Sequence, residues 1–267
     1  MKKKTKIGFI GFGKMAQAIA NRVLEQGLLP NKNLWAHDPY AKPNRKVQWA
    51  TSNAELARHC NVLILAVKPY DIQTALESCR EVIQPNTLMI SIAAGVTLAK
   101  LKKLVPQAHW VRVMPNTPAM IGYGMTGIYF PAGVSIASQT TVLKIFKSVG
   151  EVYTVQREGQ LNGVTALSGS GPAFVYRFAM AMMKGAQKIG LSKTMGQKLV
   201  VQTLLGAAHM LQREPDPASL IAQVASKRGT TLAGLKVLAQ SAALDKILAK
   251  TLRAAYQRAI EIAEESY

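Results

Sequence analysis

The sequence predicts an α/β half followed by an all-helical half. Three observations carry this reading. Strand-like apolar runs alternate with helical segments up to about Val155. From Leu161 onward no strand-like run appears, and long segments rich in Ala, Leu and Met take over. A glycine turn, Gly11-Phe12-Gly13, joins the first strand to the first helix.

Each element has its own signal. Lys6 to Ile10 is a short apolar strand. Lys14 to Gln26 is a helix, with Met15, Ile19, Val23 and Leu24 at helical spacing and Gly27 as its stop. Asn33 to Ala36 reads as a second strand and Ala54 to Arg58 as a short helix. Val62 to Val67 is a continuous apolar run, as a parallel strand buried on both faces requires. Leu88 to Ile92 and Trp110 to Met114 are two further strands, with a helix near Leu98 to Leu104 between them. The alternation implies a parallel sheet with right-handed crossovers. Helices follow over Pro172 to Ile189, Lys193 to Arg213, Ala218 to Ala225 and Leu244 to Glu265. Some are apolar on more than one face (Ala179, Met180, Met182, Met183), as helices buried between subunits would be. The domain boundary is set at 158/159, giving domains 1–158 and 159–267.

The 267 residues include 33 Lys+Arg and 14 Asp+Glu, a net charge of +19. Such a charge raises the question of nucleic acid. The excess is spread as +8 over residues 1–60, +4 over 61–160 and +7 over 161–267, so it forms no arm or tail. Its one tight cluster is Lys2, Lys3, Lys4 and Lys6. No aromatic-basic motif accompanies it, and nucleic acid is not an expected partner. With 49% apolar residues the chain can bury a core, which excludes disorder. The longest uncharged stretch, Val113 to Leu143, is broken by three prolines and four glycines and is not a membrane span. The apolar run Ile7 to Phe12 is too short for a signal peptide. Cys60 and Cys79 can form neither a disulfide framework nor a zinc site, so reduced thiols and a cytoplasmic location are expected. No metal site is expected: the four histidines show no ligand or triad spacing, and His209, inside a helix, reads as packed.

Gly11-x-Gly13-x-x-Ala16 has the spacing of a Rossmann dinucleotide fingerprint, with Ala in third place. Gly11 permits the turn, Gly13 admits the pyrophosphate, and Ala16 lets the helix pack close to the strand. The phosphates would sit on the helix N-terminus. The alternative is a structural glycine turn. Asp38, ending the second strand, stands where an acidic residue binds the adenine ribose and favours NAD. Lys42, Arg45 and Lys46 follow and can pair with a 2′-phosphate, favouring NADP. The cofactor is therefore NADP or NAD, and Asp38 can also serve merely to cap the turn before Pro39.

Further segments follow in order: Ala66-Val67-Lys68-Pro69, Ala93-Ala94-Gly95-Val96, Arg112-Val113-Met114-Pro115-Asn116-Thr117-Pro118, Ala166-Leu167-Ser168-Gly169-Ser170-Gly171-Pro172-Ala173, and Ser226-x-x-Gly229-Thr230-Thr231. Over essentially its whole length the chain resembles the pyrroline-5-carboxylate reductase family. The resemblance implies a Rossmann domain followed by a helical dimerisation domain, a homodimer at least, and an active site where two subunits meet. It implies hydride transfer from NADPH or NADH to the C=N carbon of a small imino-acid substrate, pyrroline-5-carboxylate, giving L-proline. By position, Gly11, Phe12, Gly13, Lys14 and Met15 would hold the pyrophosphate. Asp38 and Asn53 would lie near the adenosine. Ala66, Val67, Lys68, Pro69, Ala93, Ala94 and Gly95 would line the strand ends along the cofactor. Met114, Pro115 and Asn116 would flank the nicotinamide. Ser226, Gly229, Thr230 and Thr231 would form the substrate loop, with Glu214 nearby and Thr231 and Ser226 as the catalytic residues.

The loop chemistry can be argued from residue types. Free N–H groups at a helix opening on Gly229-Thr230-Thr231 can cradle a carboxylate. A threonine hydroxyl, Thr231 by preference, can hydrogen-bond the ring nitrogen. An iminium takes its proton from water, so positioning supplies most of the catalysis. The plain alternative for such a run is an ordinary helix cap. Two departures from the family pattern stand out. Lys227 and Arg228 replace the usual Pro-Gly of Ser-Pro-Gly-Gly-Thr-Thr, and Asp38 replaces a small polar or basic residue. The first leaves open a reductase of another cyclic imine or 2-oxo acid on the same scaffold.

Overall fold

The structure, a computed structural model, describes residues 5–265. The lysines at 2, 3 and 4 lie outside them. The strands are β1 (Ile7–Ile10), β2 (Leu34–His37), β3 (Gln48–Trp49), β4 (Val62–Leu65), β5 (Leu88–Ser91), β6 (His109–Met114), β7 (Gly124–Tyr129) and β8 (Gly150–Val155). The helices are α1 (Lys14–Glu25), α2 (Asn53–His59), α3 (Ile72–Glu77), α4 (Leu98–Leu104), α5 (Ile136–Lys147), α6 (Gln160–Val164), α7 (Gly171–Lys188), α8 (Lys193–Arg213), α9 (Pro217–Val224), α10 (Thr230–Ala239) and α11 (Ala243–Glu264).

All eight strands form one sheet in the order β3-β2-β1-β4-β5-β6-β7-β8. Strands β1 to β6 are mutually parallel; β7 runs antiparallel to β6, and β8 is parallel to β7. Side chains alternate across each strand and divide the core between the two faces. Phe9, Ile64, Ile90 and Val111 face the layer of α1 and α5, with Ile19, Val23, Ile145 and Phe146. Ile10, Leu63, Leu65, Met89 and Trp110 face the layer of α2, α3 and α4, with Leu56, Leu76 and Leu101. Burial on both faces explains why β1, β4 and β5 read as unbroken apolar runs.

The sheet is not wholly parallel, as the sequence pattern implied. Only a 3₁₀ turn, Thr117–Ile121, connects β6 to β7, and so short a link can only reverse the chain. Asn116 braces that reversal: its Oδ1 accepts the Met125 N–H at 2.9 Å. Strands β3, β7 and β8 and helices α3, α5 and α6 are additions to the pattern read from sequence.

The chain divides into two compact units. One runs to Ser170 and takes in the chain again from Ala255; the other is Gly171–Ala254. This cut falls later than 158/159 because α6 packs on β6 and β7, with Leu161 and Val164 against Gly127. The end of α11 belongs to the first unit. Ile262 lies against Gly95, and the Lys100 ammonium donates to the carbonyls of Ala263 and Glu265 at 2.7 and 2.8 Å. A cation on the last carbonyls of a helix is favourably placed. Glu158 accepts the Leu98 N–H at 2.6 Å, at the start of α4, and pairs with buried Arg112 at 2.9 Å. Burial pushes the Arg112 guanidinium down, and its bond to Glu158 pulls it back up.

Candidate active site

In a parallel sheet, ligands bind beyond the carboxyl ends of the strands, where the strand order reverses. Here the order reverses between β1 and β4. The residues leaving that edge are Gly11 after β1, Asp38 after β2, Ala66 after β4, Ile92 after β5 and Pro115 after β6. The fold thus brings the candidate cofactor residues of the first unit to one edge.

Gly11 adopts φ +83°, and a Cβ there would stand 2.7 Å from Val67 Cγ1. Its N–H bonds the His37 carbonyl at 2.9 Å, tying the turn to β2. Phe12 faces inward, edge-on to Phe9 and Trp49 at 5.6 and 5.3 Å. Its N–H donates to Asp38 Oδ2 at 2.7 Å, so it is already engaged. Gly13 is the N-cap of α1, and a Cβ there would meet nothing within 4 Å. No side chain caps α1, and its first turn holds no acidic residue. Open space before uncapped N–H groups fits a pyrophosphate. Lys14 is exposed beside it, Met15 packs partly on the core, and Ala16 is buried.

Asp38 Oδ1 accepts the N–H groups of Tyr40 and Ala41 at 2.8 and 3.1 Å, so the carboxylate braces its own loop as well as the glycine turn. Asn53 opens α2, but its side chain serves the protein. Its Oδ1 pairs with His37 Nδ1 at 2.8 Å, and its Nδ2 donates to Ser78 Oγ at 3.0 Å. Ala66 N–H bonds the Ile10 carbonyl at 2.8 Å, Val67 meets Gly11, and exposed Lys68 precedes the 3₁₀ turn that starts at Pro69. Ala93 is buried and Ala94 half-buried; Gly95, at φ +76°, gives way to Ile262.

Met114 is half-buried, and Pro115 and Asn116 are buried. Besides bracing Met125, Asn116 donates from Nδ2 to the Ser168 carbonyl at 3.0 Å. Ser168 lies in one π-helical turn, Thr165–Gly169, closed by the Ser170 N–H on the Thr165 carbonyl at 2.8 Å. Met114 Cε comes within 2.8 Å of where a Gly169 Cβ would stand. The Ser168 hydroxyl is buried without a protein partner. π turns concentrate at functional sites, and an orphaned buried hydroxyl calls for an explanation. Sequence analysis assigns this serine no role, although its segment is one of those that carry the resemblance.

The second unit holds the substrate candidates. Ser226 to Gly229 form a tight turn, the Gly229 N–H on the Ser226 carbonyl at 3.0 Å. Gly229 is the N-cap of α10, which no side chain caps and which has no acidic residue in its first turn. A Cβ at Gly229 would meet Ser226 Oγ, so a larger residue there would have to turn that hydroxyl aside. Thr230 and Thr231 form the first turn of α10. Arg228, where the family pattern has glycine, adopts φ +62°, a left-handed conformation strained for a side chain with a Cβ. Glu214 ends α8 and accepts from Gln223 Nε2 of α9 at 2.9 Å. Bonds from Ser219 and Gln223 hold its carboxyl below the usual carboxylate range.

Among the described residues no group of three or more His, Cys, Asp or Glu could hold a metal ion. Cys60 and Cys79 are free and buried, and desolvation pushes their thiols up to about 12 and about 11. His209 is exposed on α8 rather than packed, its Nδ1 3.2 Å from Gln212 Oε1. No helix of the described residues is long and apolar enough to cross a membrane.

Comparison with known proteins gives this geometry a lineage. Residues 158–262 match the family described as pyrroline-5-carboxylate reductase dimerisation. Residues 6–95 match the one described as NADP oxidoreductase, coenzyme F420-dependent. The chain is 36% identical over 268 residues to pyrroline-5-carboxylate reductase of Pseudomonas aeruginosa, covering 97% of each. It is 35% identical to that of Synechocystis sp., covering 97% of this chain and 98% of the other. The crystal structure of pyrroline carboxylate reductase of Plasmodium falciparum with NADP bound superposes with a TM-score of 0.89. That pair is 30% identical and covers 98% of this chain and 100% of the other. The Coxiella burnetii reductase gives 0.88 at 32% identity, with 97% and 99% covered. With its glycine turn, switch-point edge and helical second half matched from end to end, this chain belongs to the pyrroline-5-carboxylate reductase family.

Proposed function

We propose that the protein reduces the C=N bond of 1-pyrroline-5-carboxylate to L-proline with hydride from NADPH or NADH. The observation that carries this reading is a pair of matching helix starts. Both α1 and α10 open on a glycine N-cap with no capping side chain and no acid in the first turn. Each presents free N–H groups and a positive dipole end to an anion. The first suits a pyrophosphate, in the unit with the switch-point edge. The second suits the carboxylate of a small imino acid.

The roles follow. Gly13, Lys14 and Met15 bind the pyrophosphate through backbone N–H groups. Gly11 shapes the turn, and Phe12 anchors it in the core. Ala66 to Pro69 and Ala93 to Gly95 form the strand-end floor, while Met114 to Asn116 shape the nicotinamide end. Asn53 acts from behind, by fixing His37. Gly229, Thr230 and Thr231 hold the substrate carboxylate, Ser226 sets the turn, and the Thr231 hydroxyl orients the ring nitrogen. Glu214 holds α9 to the end of α8. When bound, the reduced nicotinamide supplies the hydride. The imine carbon accepts it, the C=N pair moves to nitrogen, and the proton on nitrogen comes from water. Thr231 contributes by fixing the ring's pose, so no buried acid is needed.

The finer assembly is a homodimer at least, formed by residues 159–267. Its support is the apolar surface of α7 and α8 in the single chain, where Val175, Tyr176, Phe178, Leu199 and Leu205 are all about half exposed. A cytoplasmic location is supported by two buried thiols that form no disulfide. Steady-state kinetics test the reading. Thr231→Ala should lower kcat/KM for the imine by about tenfold or more, the worth of one well-placed hydrogen bond, with coenzyme affinity unchanged. An unchanged kcat/KM would remove Thr231 from the chemistry.

A further inference from the structure

We infer that this enzyme prefers NADH to NADPH and that Asp38 sets the preference; the inference rests on the dinucleotide reading of the switch-point edge. Sequence alone left two opposed signals, an acid at 38 and cations at 42, 45 and 46. The structure weighs them differently. Asp38 leaves β2 directly after His37, whose Cα partner in the sheet is Ile10, the last residue before the glycine turn. Its Oδ2 takes the Phe12 N–H of that turn at 2.7 Å, and its Oδ1 takes Tyr40 and Ala41 N–H at 2.8 and 3.1 Å. The carboxylate is gripped from both sides, and turning it away breaks bonds to both the turn and the loop.

Such a fixed carboxylate has acceptor lone pairs to spare and nothing to donate. The hydroxyls of an adenine ribose are donors of the matching kind. A 2′-phosphate in the same place brings a second anion against one that cannot retreat, in the manner of like charges sharing a site. The cations compensate poorly. Lys46 is turned to α1, its ammonium on Asn21 Oδ1 at 3.0 Å. Lys42 and Arg45 are exposed on the loop. Solvated, mobile cations lose most of their attraction to water and to side-chain entropy. A fixed charge against mobile ones decides for the coenzyme without the phosphate.

The test is direct binding to the full-length protein, without imine, followed by reduced-nicotinamide fluorescence. NADH should bind about tenfold or more tightly than NADPH, about 1.4 kcal/mol per decade. Asp38→Ser should lower NADH affinity, raise NADPH affinity and carry the ratio to one or below. Equal or tighter NADPH binding by the wild type overturns the inference whatever the variant does, so a loop loosened by the substitution does not shelter it. So does a ratio that Asp38→Ser leaves unchanged. A wild-type preference for NADPH that Arg45→Gln abolishes would assign the choice to the basic loop. NADH binding without imine turnover would remove the substrate reading and leave this one standing. Binding of neither coenzyme would remove both.

Discussion

Gly11 and Gly13 lie two positions apart and are needed for different reasons. At Gly11 the backbone is left-handed and Val67 crowds the missing Cβ. Gly11→Ala should therefore cost roughly 1–3 kcal/mol of stability, seen in denaturant melts. At Gly13 nothing stands within 4 Å. Gly13→Val should cost no more than about 1 kcal/mol of stability, the loss of a glycine N-cap, and weaken coenzyme binding by about tenfold or more. A Gly13 variant that loses stability but binds normally would reverse the two assignments. Arg228 gives a third contrast. Its φ of +62° is one that glycine adopts freely. Arg228→Gly should raise stability by about 1 kcal/mol, and an unchanged or lower melting temperature would show that the turn is not strained. At this scale the sequence was informative about which residues matter and less so about what they touch. The glycine spacing and the loss of Pro-Gly at 227 and 228 could be read directly. The engagement of the Phe12 N–H by Asp38, of Asn53 by His37 and of Asn116 by Ser168 could not, because each pairs side chains with groups many residues away.

Among the elements, those buried on both faces were legible. Strands β1, β4 and β5 carry unbroken apolar runs, and α4 and α8 start and stop where capping and periodicity place them. β7 was missed because it holds two glycines inside a long uncharged stretch, where composition signals loops. β8 was missed because half of it is exposed and only Val155 is buried. The missed α5 had a usable signal: Val142, Ile145, Phe146 and Val149 recur at helical spacing after the Ser135 cap. The first turn of α4 is capped by Thr97 and held by Glu158, which also pairs with Arg112. The Arg112 side chain is only 6% exposed, against 27% for Glu158. Glu158→Gln leaves a buried guanidinium without its charge partner and should cost about 3 kcal/mol, the low end for a broken buried pair because Glu158 is partly wet. A chemical denaturation midpoint equal to wild type would show that the pair is dispensable.

For the molecule as a whole, the +19 charge and the apolar surface of the second unit point in different directions. The charge invites an anionic polymer, but it is spread along the chain and lacks an aromatic-basic motif. The apolar side chains on α7 and α8 call instead for a second copy. Sedimentation should give a mass of at least twice the 28.9 kDa chain, and a stable monomer at micromolar concentration would contradict the dimer. Under the proposed function only part of the basic excess has a task, with Lys14 exposed beside the pyrophosphate site. The most direct test of the central claim follows the hydride itself. With reduced coenzyme deuterated at nicotinamide C4 and pyrroline-5-carboxylate as substrate, magnetic resonance of the product should show proline carrying one deuterium at Cδ. Coenzyme oxidation that leaves no deuterium in proline, or no oxidation at all, would contradict the account.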